Sequence, residues 1–241
     1  MLRKNLIKNK TSDKDPIRWR SNEVLRIEAL SDAVFAFSIT LLIVSLEVPE
    51  TFDELIKILK GFFAFAISFT LLFQIWYSQF KYFRRYGLQN FYITVLNGAL
   101  LFVVLFYMYP LKFLFSMLIP GGMSDVPHDK VVITVKQVPL LMVIYGAGYA
   151  AINIIFILLY IQALKDRSDL ELSEREVFET KTQLYKYCVL TFIGILSVIV
   201  AISVAPEYSG NAGWCYALIG PALGIFFSIR GKAARKKFQS G

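Results

Sequence analysis

Residues 26–46 read Arg-Ile-Glu-Ala-Leu-Ser-Asp-Ala-Val-Phe-Ala-Phe-Ser-Ile-Thr-Leu-Leu-Ile-Val-Ser-Leu. The stretch reads as a membrane helix that keeps Arg26, Asp32 and several hydroxyls near or inside a bilayer. Lipid penalises such groups, so they are expected to face protein or water. Among the apolar segments of the chain, this one is therefore the best candidate for the working part of the molecule.

The remainder of the sequence supports a membrane setting. Of 241 residues, 56% are hydrophobic, and they come in blocks rather than alternating with polar residues. A bilayer crossing needs about 20 residues of helix. Five blocks contain no charged residue: 61–80, 87–111, 137–164, 187–206 and 208–229. The stretch around 33–46 reaches spanning length only by taking in Asp32 and its neighbours. The chain is thus expected to be an all-α integral membrane protein with six transmembrane helices. Residues 1–22 read as a basic, loosely held arm, 23–232 as one membrane domain and 233–241 as a basic tail.

The net charge of +8 is unevenly spread. Arg3, Lys4, Lys8, Lys10, Lys14, Arg18 and Arg20 precede the first span. Lys81, Arg84 and Arg85 lie between the second and third, and Arg230, Lys232, Arg235, Lys236 and Lys237 follow the sixth. The intervening connections carry Glu47, Glu50, Asp53 and Glu54, then Asp125 and Asp129. Basic loops stay on the cytoplasmic side, so both termini are placed there, in a multi-pass protein of the cell membrane. The basic clusters read as setting topology rather than binding nucleic acid. Cys188 and Cys215 both sit in apolar segments, and His128 is the single histidine. Neither a disulfide framework nor a His/Cys metal site is expected.

Local signals punctuate the spans. Residues 53–60 repeat apolar residues at helical spacing and form a lead-in to the second span. Gly121, Gly122 and Pro127 mark a turn-rich connection. Ser173-Glu174-Arg175-Glu176 fits a capping box opening a helix that runs into the fifth span. Pro206 and Gly210 mark a short turn before the sixth. Gly146, Gly148, Ala150 and Ala151 predict close helix packing, and Gln74 and Asn153 read as interhelical glue. There is no phosphate-binding loop, nucleophile elbow or placed carboxylate pair, so no enzyme chemistry is expected.

Successive helical residues turn by about 100°. With Phe37 set at zero, Leu30, Ala33, Leu41, Val44 and Val48 fall within roughly 40° of one line, Arg26 close to it, and Thr40 about 60° to one side. Asp32 points about 140° away and, with Ser31, is expected to look inward to neighbouring helices. By spacing alone the stripe reads as a packing seam. Several copies placed around one axis would turn it into apolar rings with a ring of Thr40 hydroxyls. Apolar constrictions gate by excluding water, and hydroxyls replace part of an ion's hydration shell.

Arg26-x-x-x-Leu30-Ser31-Asp32-Ala33-Val34-Phe35-Ala36, followed by Ile39-Thr40-Leu41-Leu42, resembles the first-helix signature of bacterial relatives of transmembrane protein 175, the endolysosomal potassium channel. Ser68-Phe69 with Trp76 in the second span agrees, as does Leu96-Asn97-x-x-Leu100-Leu101 with Tyr109-Pro110-Leu111 in the third. The resemblance implies a homotetramer in a lipid bilayer, with the first helix lining a central pore. It implies passive conduction of potassium, with caesium or rubidium also admitted and sodium weakly excluded. No cofactor and no nucleic acid are implied. Position by position, Phe37, Leu41 and Val44 would form the pore lining and gate, and Thr40 the selectivity ring near which potassium transiently sits. Arg26, Leu30, Ser31, Asp32, Trp76 and Asn97 would form the structural signature. Leu30 stands where the family usually has Phe, Phe37 where it usually has Ile or Leu, and the His common after the Trp is missing.

Asp32 reads as a buried structural partner of Asn97, Trp76 or a basic residue rather than an ion ligand. For Thr40, the competing role is a hydroxyl bond to its own helix backbone. Arg26 either tunes the vestibule field or pairs with Glu or lipid. A proton- or ion-coupled secondary transporter is the alternative function, but the sequence lacks the matched broken helices it would want. A membrane scaffold or sensor without transport is the third reading.

Overall fold

The computed structural model describes residues 18–21, 23–44, 50–118 and 133–238. Among the described residues there are six α-helices and no strand: α1 (Arg26–Val44), α2 (Phe52–Tyr86), α3 (Phe91–Leu118), α4 (Val138–Lys165), α5 (Glu174–Ser203) and α6 (Ile219–Phe238). Short 3₁₀ segments, Val135–Gln137 and Pro206–Leu218, precede α4 and α6. The stretches Phe91–Leu111, Val135–Lys165, Glu174–Ser203 and Pro206–Phe238 are long and apolar enough to cross a bilayer. The arm up to residue 17, the turn with Gly121, Gly122 and Pro127, His128 and Val48 lie outside the described residues. So does the side chain of Val44.

Local chemistry sets the helix ends. Glu28 accepts the Leu25 N–H at 2.8 Å and closes the first turn of α1. At 35 residues, α2 is about 52 Å long, and residues 53–60 are simply its first turns. It stops at Gly87, whose positive φ of 62° is the left-handed geometry that ends helices and suits glycine. Asn90 caps α3 by accepting the Ile93 N–H at 2.9 Å. Ser173 and Glu176 form the reciprocal capping box of α5 that the sequence predicts.

The last predicted span, 208–229, departs from expectation. Pro206–Leu218 is 3₁₀ and only Ile219–Phe238 is α-helical. Pro206 opens the segment, and Gly210 and Gly213 within it lower the preference for an α-helix. Ser197 on α5 ties it down by donating to the Ala212 carbonyl at 3.0 Å.

The small residues of α4 behave as predicted. A Cβ on Gly146 would stand 2.5 Å from Val198 Cγ2 and 3.1 Å from the Gly194 carbonyl, and one on Gly148 would collide with the Tyr107 ring. Asn153 differs from expectation: it donates to Tyr149 O of its own helix at 2.8 Å rather than across helices. The preceding turn offers a carbonyl at hand, and a buried amide takes the nearest acceptor. Gln74 is exposed. Tyrosines supply the interhelical bonds instead. Tyr82 donates to Leu159 O at 2.9 Å, Tyr145 to Pro110 O at 2.6 Å, and Tyr86 pairs with Thr180 at 2.8 Å. These fasten α2, α3, α4 and α5 into one core, against one side of which α1 lies.

Candidate functional site

The two sides of α1 differ sharply. Glu28, Ser31, Phe35 and Ser38 are buried; they share an arc of the helix about 80° wide. On the other side Arg26, Leu30, Ala33, Ala36, Phe37 and Thr40 are exposed. Leu30 and Phe37 keep 59% and 57% of their surface open, so within one chain the stripe is not a packing seam.

Ser31 fixes the buried side. Its hydroxyl donates to Ile27 O at 2.7 Å and accepts from Asn97 Nδ2 of α3 at 2.9 Å. Asn97 Oδ1 in turn accepts from Gln79 Nε2 of α2 at 2.9 Å. Ser31, Asn97 and Gln79 are all at most 1% exposed, and the three-residue relay pins α1 to both neighbouring helices. Only hydrogen-bonded polar groups are tolerated at such burial.

Asp32 meets one of its expected partners and misses on burial. Trp76 Nε1 donates to its Oδ1 at 2.7 Å, while the residue itself is exposed. It lies where the exposed face meets the buried one, about 140° from the centre of the stripe, and the tryptophan reaches it there from α2. The Trp76 ring is itself held between Phe73 and Phe80, at centroid distances of 5.2 and 5.6 Å. Asp32 is thus bound to the protein scaffold through a charge-assisted bond.

Thr40 Oγ1 donates to Ala36 O at 2.9 Å, so the backbone bond weighed against a filter role does form. That bond consumes the hydroxyl proton and leaves the oxygen lone pairs for an external partner. Leu41 is half-buried at the edge of the stripe. Between Leu30 and Leu41 the exposed face carries no charge apart from Asp32 at its border.

A second set of contacts, at the arginine-rich end, escaped the sequence reading. Arg84 Nε on α2 stands 3.7 Å from Glu28 Oε1 of α1. Its guanidinium also donates to the carbonyls of Ser21 and Glu23, both at 3.4 Å, and its own carbonyl accepts the Arg20 N–H at 3.1 Å. Arg20 grips Glu176 of α5 with both Nη atoms, at 3.0 and 2.9 Å, and donates from Nε to Leu170 O at 2.8 Å. Arg18–Ser21 are therefore docked, not loosely held. Glu176 sits in the charged first turn of α5, ahead of the apolar run. Burial alone would push its carboxyl up; the Arg20 guanidinium and the N–H groups of Ser173 and Arg18 outweigh this and hold it below the usual carboxylate range. Cations reaching separate helices in this way leave no local sequence signal. The one visible hint is Glu28, three residues after Leu25.

Comparison with known proteins bears on these features. Residues 26–107 match the family described as the endosomal/lysosomal potassium channel TMEM175. A potassium channel of Marivirga tractuosa is 37% identical over 233 residues, 92% of this chain and 93% of the relative. A potassium channel of Chamaesiphon minutus is 27% identical, over 88% of this chain and 97% of the relative. Among solved structures, a threonine-to-alanine variant of the potassium channel MtTMEM175, in complex with a nanobody–MBP fusion, superposes with a TM-score of 0.78 at 36% identity, covering 90% of this chain and 97% of the other. A Chamaesiphon minutus homologue of the lysosomal potassium-selective channel TMEM175 shares the fold at a TM-score of 0.54 and 23% identity, over 85% and 96% of the two chains.

Proposed function

The chain belongs to the transmembrane protein 175 family of potassium channels, and from that premise we propose that it conducts potassium passively through a pore lined by α1. Its membership makes it a membrane channel protein and not an enzyme. In the proposed assembly four identical subunits surround the axis, all six helices cross the membrane, and both termini are cytoplasmic in the cell membrane. The observation that carries the reading is the exposed stripe of α1: Leu30, Ala33 and Phe37 lie open to the outside of the subunit, edged by Thr40. Repeated about an axis, Phe37, Leu41 and Val44 give an apolar constriction. The Thr40 oxygens, whose protons are already committed to Ala36 O, give a belt of acceptors for a partly dehydrated cation.

The belt is uncharged, so it distinguishes cations by hydration cost. Potassium, caesium and rubidium shed water more readily than sodium. In this reading Asp32 is a scaffold residue, held by Trp76 at its Oδ1. Arg26, exposed near the start of α1, contributes positive charge to the vestibule.

Two measurements test this. Thr40→Ala in planar bilayers is expected to change the potassium-to-sodium permeability ratio roughly threefold or more, the worth of one lost polar contact. Phe37→Cys, in a background with Cys188 and Cys215 replaced by alanine, is expected to let a water-soluble thiol reagent block the current. A monomer in detergent, or an unreactive Phe37→Cys channel, would refute the pore.

A further inference from the structure

The contacts at the arginine-rich end form one continuous connection. Ser21 and Arg20 lie just ahead of α1, and their N–H groups both bond the Arg84 carbonyl, at 3.3 and 3.1 Å. The backbone at Gly87, which turns out of α2, passes Ser21 closely: a Cβ there would lie 3.7 Å from Ser21 Cβ. Trp19 sets its ring edge-on against Phe80 at 6.1 Å, and Phe80 stacks on Trp76, the residue that holds Asp32. The Arg84 side chain then returns to Glu28 in the first turn of α1. On the far side, Arg20 closes a bidentate pair with Glu176, whose Oε1 also accepts the Arg18 N–H at 3.0 Å.

We propose that residues 18–21, clasped between Arg84 and Glu176, are positioning residues that hold the start of α1 against its own subunit and so keep the conduit open. The proposal rests on the α1-lined pore described above. Its physical logic is a competition. Apolar stripes facing a wet axis gain free energy by closing on one another. The anchors of α1 lie away from the stripe: Ser31 and Asp32 one turn in, Glu28 at the first turn, and the clasp just before it. Ser31 and Asp32 alone leave the first turn free to tilt. The clasp and Arg84 remove that freedom by tying it to α2 and α5. A planar guanidinium gripping a carboxylate with two parallel bonds resists such tilting better than a single contact does.

The test uses the full-length protein in bilayers. Arg20→Gln and Glu176→Gln are each expected to lower the open probability about tenfold, as loss of a charged hydrogen-bonded pair implies. The double variant should be no worse than either single one, because both remove the same contact. Arg20→Lys, which keeps the charge but loses the fork, should fall between wild type and Arg20→Gln. The potassium-to-sodium reversal potential should not move in any of them, and hydrogen exchange in residues 25–29 should quicken at least about fivefold. Should Arg20→Gln fail to assemble, Trp19→Ala, which removes the Phe80 contact without altering a charge, carries the same expectation. Open probability that is unchanged or raised, or losses that add in the double variant, would overturn the clasp. If that happens while Thr40→Ala still alters selectivity, the pore reading stands without it. If Thr40→Ala is silent, the pore reading falls and takes the clasp with it.

Discussion

Replacing Asn97 with alanine removes the centre of the relay that joins α1, α2 and α3. Two bonds disappear at once, from Gln79 Nε2 and to Ser31 Oγ, each 2.9 Å long. The groups left behind are buried, with Ser31 and Gln79 at 0% and 1% exposure. Two ordinary hydrogen bonds contribute about 1 kcal/mol each, and a buried amide N–H without an acceptor adds about 1–3 kcal/mol. Ser31 is spared most of that cost, since its proton still reaches Ile27 O. The expected loss is therefore about 3–5 kcal/mol. Equilibrium unfolding in mixed micelles measures it directly. Ser31→Ala should cost less than this, and combined with Asn97→Ala it should show a coupling of about 1 kcal/mol, because both changes delete one shared bond. A loss below about 1 kcal/mol, or strict additivity of the two variants, would show that the relay does not hold α1 in place.

Two further outcomes follow from the geometry. Gly146→Ala should destabilise the protein by about 1–3 kcal/mol in the same unfolding assay, because the added methyl meets Val198 and the Gly194 carbonyl; Gly210→Ala, with open space around it, is the matched control. Acidification should weaken the Arg20–Glu176 contact. The native Glu176 carboxyl titrates below its ordinary value of 4.5, so its contribution is complete above that value and is lost as pH falls through the depressed native one. Wild-type stability measured from pH 6 down to about pH 3 should thus fall more steeply than that of Glu176→Gln.

Most of the helical framework was legible because membrane spans announce themselves by composition. Blocks without charge leave little choice of structure once every backbone group must be satisfied internally. The capping box at Ser173 and the small residues Gly146 and Gly148 were equally plain, since each is a local pattern with a local cause. The failures share a different origin. The stretch Pro206–Phe238 is long and apolar enough to span, and hydropathy alone does not register that Gly210 and Gly213 weaken an α-helix in its first part. An amide in an apolar span needs a partner, so Asn153 reads as bonding across helices; the carbonyl it takes is the one in reach, Tyr149 O at 2.8 Å. Arg20, Arg84 and Arg230 read as topology signals, and all three make contacts within the protein. Arg230 donates to Thr182 Oγ1 at 2.8 Å and lies over the Phe178 ring at 3.9 Å. A count of charges per loop carries no information about such pairings.

The two faces of α1 let a helix with an aspartate and two serines line the uncharged throat proposed above. Each polar group that lipid would penalise is turned towards the body of the subunit and given a partner there: Ser31 to Asn97, Ser38 to Val34 O at 2.8 Å, Asp32 to Trp76, Glu28 to Leu25 N–H and Arg84. What remains outside is apolar, apart from Arg26 at one end, Thr40 towards the other and the Trp76-bound Asp32 at the border of the exposed face. Thr40 differs from Ser38 in one respect that matters. Both hydroxyls donate to the preceding turn of the same helix, but Ser38 is fully buried whereas Thr40 is exposed. The same local bond therefore only satisfies the serine, while it aims the threonine's remaining lone pairs outward. The proposed belt therefore depends on where a hydroxyl sits around the helix: Thr40→Ala removes the outward oxygen, whereas Ser38→Ala, on the buried side, leaves it in place.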